Sequence, residues 1–217
     1  MEGGNRTISP LKKGFPRERN RLFLILLIVI PVAGLLLRGI YLYEIKGTAG
    51  FSHPGIDAAY HVYWARGIAF GDWSCYEGRE NPRVYRYPFY RPPGYPYFLA
   101  LIYFLTGPGP YWPRIIQMLI GVGAGILAYR LGRKLFDRTT GILAMAGVTF
   151  YWIFIYYEGE LVGTAAAVFM GLLFLLLLIG GREKVPLPRA GAAGAVLGLL
   201  TLFRPNSLIL VIPVALW

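Results

Sequence analysis

The sequence predicts an all-α protein whose helices cross a lipid bilayer several times. Three observations carry this. Apolar residues fill 56% of the 217 positions and charged residues only 15%, too apolar a balance for a soluble domain of this length. The apolar residues fall in runs near the ~20 residues that a helix needs to cross hydrocarbon. The net charge of +11 gathers beside those runs, where Lys and Arg set topology. Such a pattern is not the basic patch that grips nucleic acid, so no nucleic-acid partner is expected.

Leu22 to about Tyr43 is the first span. It contains Pro31 and, near its end, Arg38, whose long stem is expected to snorkel to the interface. Ahead of it Arg6, Lys12, Lys13, Arg17, Arg19 and Arg21 make a basic tail over residues 1–21, which the positive-inside rule assigns to the cytoplasm. A cleaved signal peptide fits less well, because the run is long and no small-residue cleavage site follows it. Residues 22–217 form the membrane module, with residues 44–93 as its first outer loop.

The next strong run, Ile115 to Tyr129, leads into Arg130, Arg133, Lys134 and Arg138, a second cytoplasmic cluster. One crossing therefore separates the outer loop from that cluster. Tyr95 to Leu105, at about eleven residues, is then interfacial, re-entrant or a lead-in to the span. Gly107-Pro108-Gly109-Pro110 turns the chain. Gly141 to Tyr157 runs outward to Glu158-Gly159-Glu160, and Leu161 to Ile179 returns to Arg182, Lys184 and Arg189. The stretch Ala190 to Trp217 is interrupted by Arg204-Pro205-Asn206, which predicts a broken helix or helical hairpin.

The outer loop holds the candidate chemistry. HPGIDAAYHVYWARGIAFGDW predicts a helix from about Pro54 to Phe70, with Ser52 or His53 near its N-cap and Gly71 past its end. Asp57, Tyr60, His61 and Trp64 share one face by their spacing of three and four. Asp57 is either a first-turn carboxylate favoured by the helix dipole or a base facing a cleft. His53, Asp57 and His61 at steps of four resemble a metal-ligand face. Pro54-Gly55 throws His53 off that register, however, and the remainder falls short of the ligand count a firm site wants, so no metal or other cofactor is expected. Trp73, Tyr76, Tyr85, Tyr87, Phe89 and Tyr90 interleave with Arg79, Arg83, Arg86 and Arg91. This reads either as an interfacial aromatic belt or as rings that stack on sugars beside arginines that hold phosphate. The lone cysteine, Cys75, says nothing of redox compartment.

Asp57 with Tyr60, Ala65 and Gly71, then RPPGYPYFLALIYFLTG, RIIQ, YRLGRKLF, a Glu at the outer end of the hairpin and LLTLFRPNSLIL together resemble the dolichyl-phosphate-mannose protein mannosyltransferase-like family. That family belongs to the C-type glycosyltransferase superfamily. The resemblance covers most of residues 20–217 and implies a multi-pass module with juxtamembrane helices in its first outer loop. It also implies a polyprenyl-phosphate sugar donor and transfer of the sugar to an acceptor hydroxyl on the outer face.

Carried over by position, Asp57 is the presumed general base and Arg91 the residue that meets the lipid phosphate. Glu160 matches the acidic residue of the second outer loop and Arg204 the basic residue of the K/R-P motif. These two join Tyr60 and His61, beside Asp57, as substrate-binding candidates. Many relatives place Glu directly after the first-loop Asp, whereas this chain has Ala58. The relatives are also more than twice as long, which implies that the acceptor-binding parts lie beyond this chain. The alternatives of other classes are a non-catalytic protein that binds or moves polyprenyl lipids and a structural membrane subunit.

Overall fold

The computed structural model describes residues 17–74, 91–179 and 185–216. The tail to residue 16, Cys75 and the arginine-rich aromatics up to Tyr90, and Arg182 with Lys184 lie outside the described residues. Every element among them is helical. In chain order these are α1 (Arg17–Ile45), α2 (Ala49–Ser52), α3 (Ile56–Phe70), α4 (Gly94–Thr106), α5 (Tyr111–Leu135), α6 (Arg138–Phe150), α7 (Trp152–Gly159), α8 (Thr164–Leu178) and α9 (Leu187–Phe203). A 3-10 segment (Pro205–Leu210) and α10 (Val211–Leu216) complete the chain.

Two helices, α1 and α5, are long and apolar enough to cross a membrane. At 1.5 Å per residue they reach about 40 Å, beyond the ~30 Å hydrocarbon core. The pair α6–α7, bent by 45° at its break, forms a third candidate if taken as one span. Leu22, Leu24, Ile25, Ile28 and Leu36 of α1 stand exposed, a surface that lipid satisfies and water does not. The protein is an all-α membrane protein. Pro31 leaves α1 unbroken. Helix α4 has 13 residues and α8 has 15, so each falls short of a span by length. Over the run Leu161 to Ile179 the helix is thus shorter than the run itself. The chain at Glu160 is extended and the helix begins only at Thr164.

Arg38 is the larger departure. It does not snorkel; it is 1% exposed and makes a bidentate ion pair with Glu158, at 2.6 and 2.8 Å. The break at Tyr151 explains one more of its bonds, since a helix that stops leaves its last carbonyls open. Arg38 Nη1 donates to the Thr149 carbonyl at 2.9 Å and to Gly34 at 3.2 Å. Room for this comes from glycine: a Cβ at Gly121 of α5 would overlap the Glu158 carboxylate, and one at Gly34 would overlap Thr149. The ion pair thus joins α1, α6 and α7 inside apolar surroundings, where an unpaired charge is costly.

The outer helices pack on a separate core. Ala58, Val62 and Ala65 of α3 meet Tyr95, Leu99 and Tyr103 of α4. Ala166, Met170 and Phe174 of α8 pack on Ala193, Leu197 and Leu200 of α9. At the other end, the α5–α6 hairpin is closed by Asp137, whose carboxylate accepts from the Thr140 backbone N–H at 2.7 Å.

Removing one partner of the buried pair should cost more than removing both. Glu158→Leu alone is expected to destabilise by about 3–5 kcal/mol, whereas Arg38→Met with Glu158→Leu should recover most of that loss. Thermal unfolding of the detergent-solubilised protein measures both. Equal losses in the single and double variants would show that Arg38 has no need of its partner.

Candidate functional site

Three separate segments meet at the end of α4. The first is α3, which starts at Ile56 with Gly55 as its N-cap, two residues later than the sequence suggests. Ser52 closes the one-turn α2, and His53 is that helix's C-cap. His53 is therefore off the α3 register, and among the described residues no group of three His, Cys, Asp or Glu side chains could hold a metal ion. Gly71 ends α3 in the left-handed region, at φ 70°, where glycine carries no Cβ penalty.

The second segment is the Arg91-Pro92-Pro93 entry to α4. The third is the break after α9, where Pro205 disfavours helical geometry at Arg204, which adopts φ −141° and ψ 90°. Gly94 brings the last two together: a Cβ there would lie 2.7 Å from the Leu202 carbonyl carbon.

Between them lies a cleft of ≈ 420 Å³ lined by Asp57, His61, Arg91, Tyr157, Thr164 and Arg204, among others. Arg91 donates to the Asp57 carboxylate as an ion pair across 34 positions of sequence. Arg204 Nη2 donates to the Thr164 hydroxyl at 3.0 Å. Asp57 and Arg91 are 50% and 34% exposed, so the pair is open to a ligand. His61 is buried, with its ring edge against Tyr95 at 4.9 Å. Burial pushes its imidazole down to about 4, with Arg91 and Arg204 acting the same way and Asp57 opposing. At neutral pH the ring is uncharged.

The remaining sequence candidates sit differently. Tyr60 is buried against the rings of His61 and Trp64 and is hydrogen-bonded by the Arg91 backbone. It contacts the segment that carries Arg91 and is not part of the cleft wall. Burial raises its phenol pKa. Glu160 does not line the cleft either. Gln117 Nε2 donates to the Glu158 and Glu160 carbonyls, both at 2.8 Å. Glu160 accordingly acts electrostatically on Arg114 and Tyr41, while Val162 to Thr164 form the wall.

Gln117 also accepts from the Tyr95 hydroxyl at 2.7 Å. Arg114 donates to the Gly159 carbonyl at 2.6 Å and to Pro110 at 2.8 Å, and its guanidinium lies 4.2 Å from the Phe51 ring centroid. Sequence reasoning missed Arg38, Arg114, Gln117 and Glu158 as the frame of this site. A readable signal existed: polar and ionisable groups in or beside apolar runs are costly unless paired.

An all-helical membrane protein with a polar, arginine-bearing cleft beside its apolar helices is the class that these observations define. Residues 90–217, more than half of the chain, match the family described as Dolichyl-phosphate-mannose-protein mannosyltransferase. The protein belongs to that family and is a glycosyltransferase-like membrane protein. The match takes in Arg91, Glu160 and Arg204; Asp57, Tyr60 and His61 precede it. Comparison with curated proteins and with solved structures gives no match.

The lowered His61 pKa fixes a pH dependence. The unfolded chain takes up this proton near pH 6.5 and the folded chain only near 4. Stability from the neutral ring is therefore complete above about pH 6.5 and falls as pH drops towards 4, by at most about 3 kcal/mol. Thermal midpoints at pH 7 and pH 5 should fall further apart in the native protein than in His61→Gln. Identical spacing in the two would show that His61 titrates normally.

Proposed function

We propose that the cleft binds the phosphate of a polyprenyl-phosphate sugar and that the protein transfers the sugar to an acceptor hydroxyl. One observation supports this reading above all. Asp57, Arg91 and Arg204 arrive from three segments and border a single cleft of ≈ 420 Å³. A carboxylate takes a proton from the acceptor hydroxyl as it attacks the anomeric carbon. Arginines offset the negative charge that grows on the departing phosphate, in a site partly withdrawn from water. Thr164 orients Arg204 for this, and Tyr60 steadies the Arg91 backbone. Neutral His61 offers a hydrogen-bonding ring without adding a cation that would compete with the arginines for Asp57. No nucleotide-binding loop is needed, since the donor carries its leaving phosphate on a lipid.

In the topology that goes with this reading, the N-terminus is cytoplasmic and the segment from Glu44 to Pro93 faces outward. The basic clusters before α1 and at Arg130 to Arg138 support it. An impermeant thiol reagent on intact cells should then label native Cys75 and spare Arg133→Cys in a Cys75→Ser background. The reverse pattern would turn the protein over and remove the assignment.

For catalysis the test is Asp57→Asn, which keeps shape but loses the base. Sugar transfer in membranes expressing the protein should drop about 10²-fold or more, with expression unchanged. Native turnover in that variant would leave Asp57 as no more than Arg91's ion-pair partner.

A further inference from the structure

Another cavity lies at the end of α5 remote from the cleft. It measures ≈ 320 Å³ and is lined by Asn20 and Phe23 of α1 and by Asp137, Arg138 and Thr139 at the turn from α5 into α6. That volume is at the low end of small-molecule pockets, which run from ~300 to ~1,000 Å³. The transfer reaction makes no use of it.

Its polar groups are arranged for an anion. Arg138 Nη1 donates to Asn20 Oδ1 at 3.0 Å, a neutral partner that aims the guanidinium without cancelling its charge. The acid in the lining is occupied elsewhere. Asp137 caps α6, accepting from the Thr140 backbone N–H at 2.7 Å, and among the described residues no carboxylate pairs with Arg138. The anion-binding group is therefore the arginine and not the helix end, which the cap already serves. Around the cavity the charge is one-sided: residues 17–21 and 130–138 hold seven Lys and Arg against two Asp and Glu, which adds attraction at longer range.

Its apolar groups choose among anions. Phe23 forms one wall, next to it in α1 Leu22, Leu24 and Ile25 stand exposed, and Phe136 beside Asp137 is 73% exposed. The cavity thus opens where α1 passes from charged to apolar residues, the level at which a phospholipid changes from headgroup to chain. A soluble phosphate has nothing to place on this apolar margin. In the topology proposed above, the same end faces the cytoplasm, whose leaflet carries anionic lipid.

We propose that this cavity holds the headgroup of an anionic membrane phospholipid. Arg138 grips its phosphate, and its chains lie along the exposed side of α1. Such a lipid touches both α1 and the α5–α6 turn, and so clamps the contact of Ile30 with Ile142 and Met145 deeper in the bundle. Phosphatidylcholine offers the same phosphate but carries a cation beside it, which this basic surround repels. A diffuse attraction between surface cations and anionic headgroups, by contrast, would not depend on which cation is removed.

The test uses the purified full chain in phosphatidylcholine nanodiscs with or without phosphatidylglycerol. It reads the thermal midpoint and, by native mass spectrometry, the lipid retained. The native protein should retain phosphatidylglycerol over phosphatidylcholine by about tenfold or more, and its midpoint should rise when phosphatidylglycerol is present. Arg138→Gln should lose most of both effects while keeping its midpoint in pure phosphatidylcholine. Arg138→Lys should lose part of them, because it keeps the charge without the fork. Arg130→Gln removes the same charge from an exposed position outside the cavity and should leave both effects nearly intact. Equal losses in Arg130→Gln and Arg138→Gln would overturn the site and leave surface charge as the whole explanation. Failure of the native protein to distinguish the two lipids would overturn it as well. Displacement of the retained lipid by glycerol phosphate at matched concentration would make the ligand a soluble phosphate and overturn the lipid assignment.

Discussion

The ion pair of Arg38 with Glu158 is the constraint on which the arrangement depends. Two opposite charges 120 positions apart are placed between apolar helices, where neither can exist alone at acceptable cost. Their demand for each other brings the start and the middle of the chain into one register. Gly34 and Gly121 are small where the pair and its neighbours need volume, and the bend at Tyr151 leaves open the Thr149 carbonyl, which takes one of the hydrogens on Arg38 that the pair does not use. Once Glu158 is fixed, Gln117 and Arg114 can hold the carbonyls of Glu158, Gly159 and Glu160. That short, gripped segment leads into Val162 to Thr164, one wall of the cleft.

The frame and the site thus divide their polar residues by burial. Arg38, Arg114, Gln117 and Glu158 are almost wholly buried and bond within the protein. Asp57, Arg91 and Arg204 are partly exposed and bond to one another or to Thr164. A buried and fully bonded group specifies geometry, because any displacement leaves a charge or carbonyl unpaired. A half-exposed pair exchanges partners more cheaply, since water and a ligand can replace what is lost.

Much of this was legible in the sequence. The apolar runs gave α1 and α5, Gly71 gave the end of α3, and Pro205 gave the break at Arg204, each because a local steric or solvation rule acts without help from distant residues. The spacing of Asp57 and His61 placed both on one face of α3, and both line the cleft. What escaped was decided by partners far away. Arg38 looked like a snorkelling cation because sequence shows the apolar run around it and not the carboxylate opposite. Glu160 looked equivalent to Glu158 at the hairpin tip, and only the pairing with Arg38 and the grip of Gln117 tell them apart. The helix of α8 starts later than the run expected from Leu161 for the same reason: Leu161 to Gly163 are apolar enough for a helix, yet the Glu160 carbonyl just before them is held by Gln117.

The close approach of Gly94 to Leu202 has a consequence for how the protein is made. Arg91 and Arg204 are brought together by a backbone contact between segments about a hundred residues apart. Ribosomes and insertion machinery deliver α3 and α4 before α9, so while about a hundred further residues are made the chain carries the Asp57 and Arg91 half of the cleft without its other cation. A nascent chain is then locally charge-neutral at this spot, its arginine matched by its own aspartate. The surplus positive charge of the cleft comes into being only when the Arg204 turn docks, so the electrostatic character of this spot depends on the helices around it having assembled.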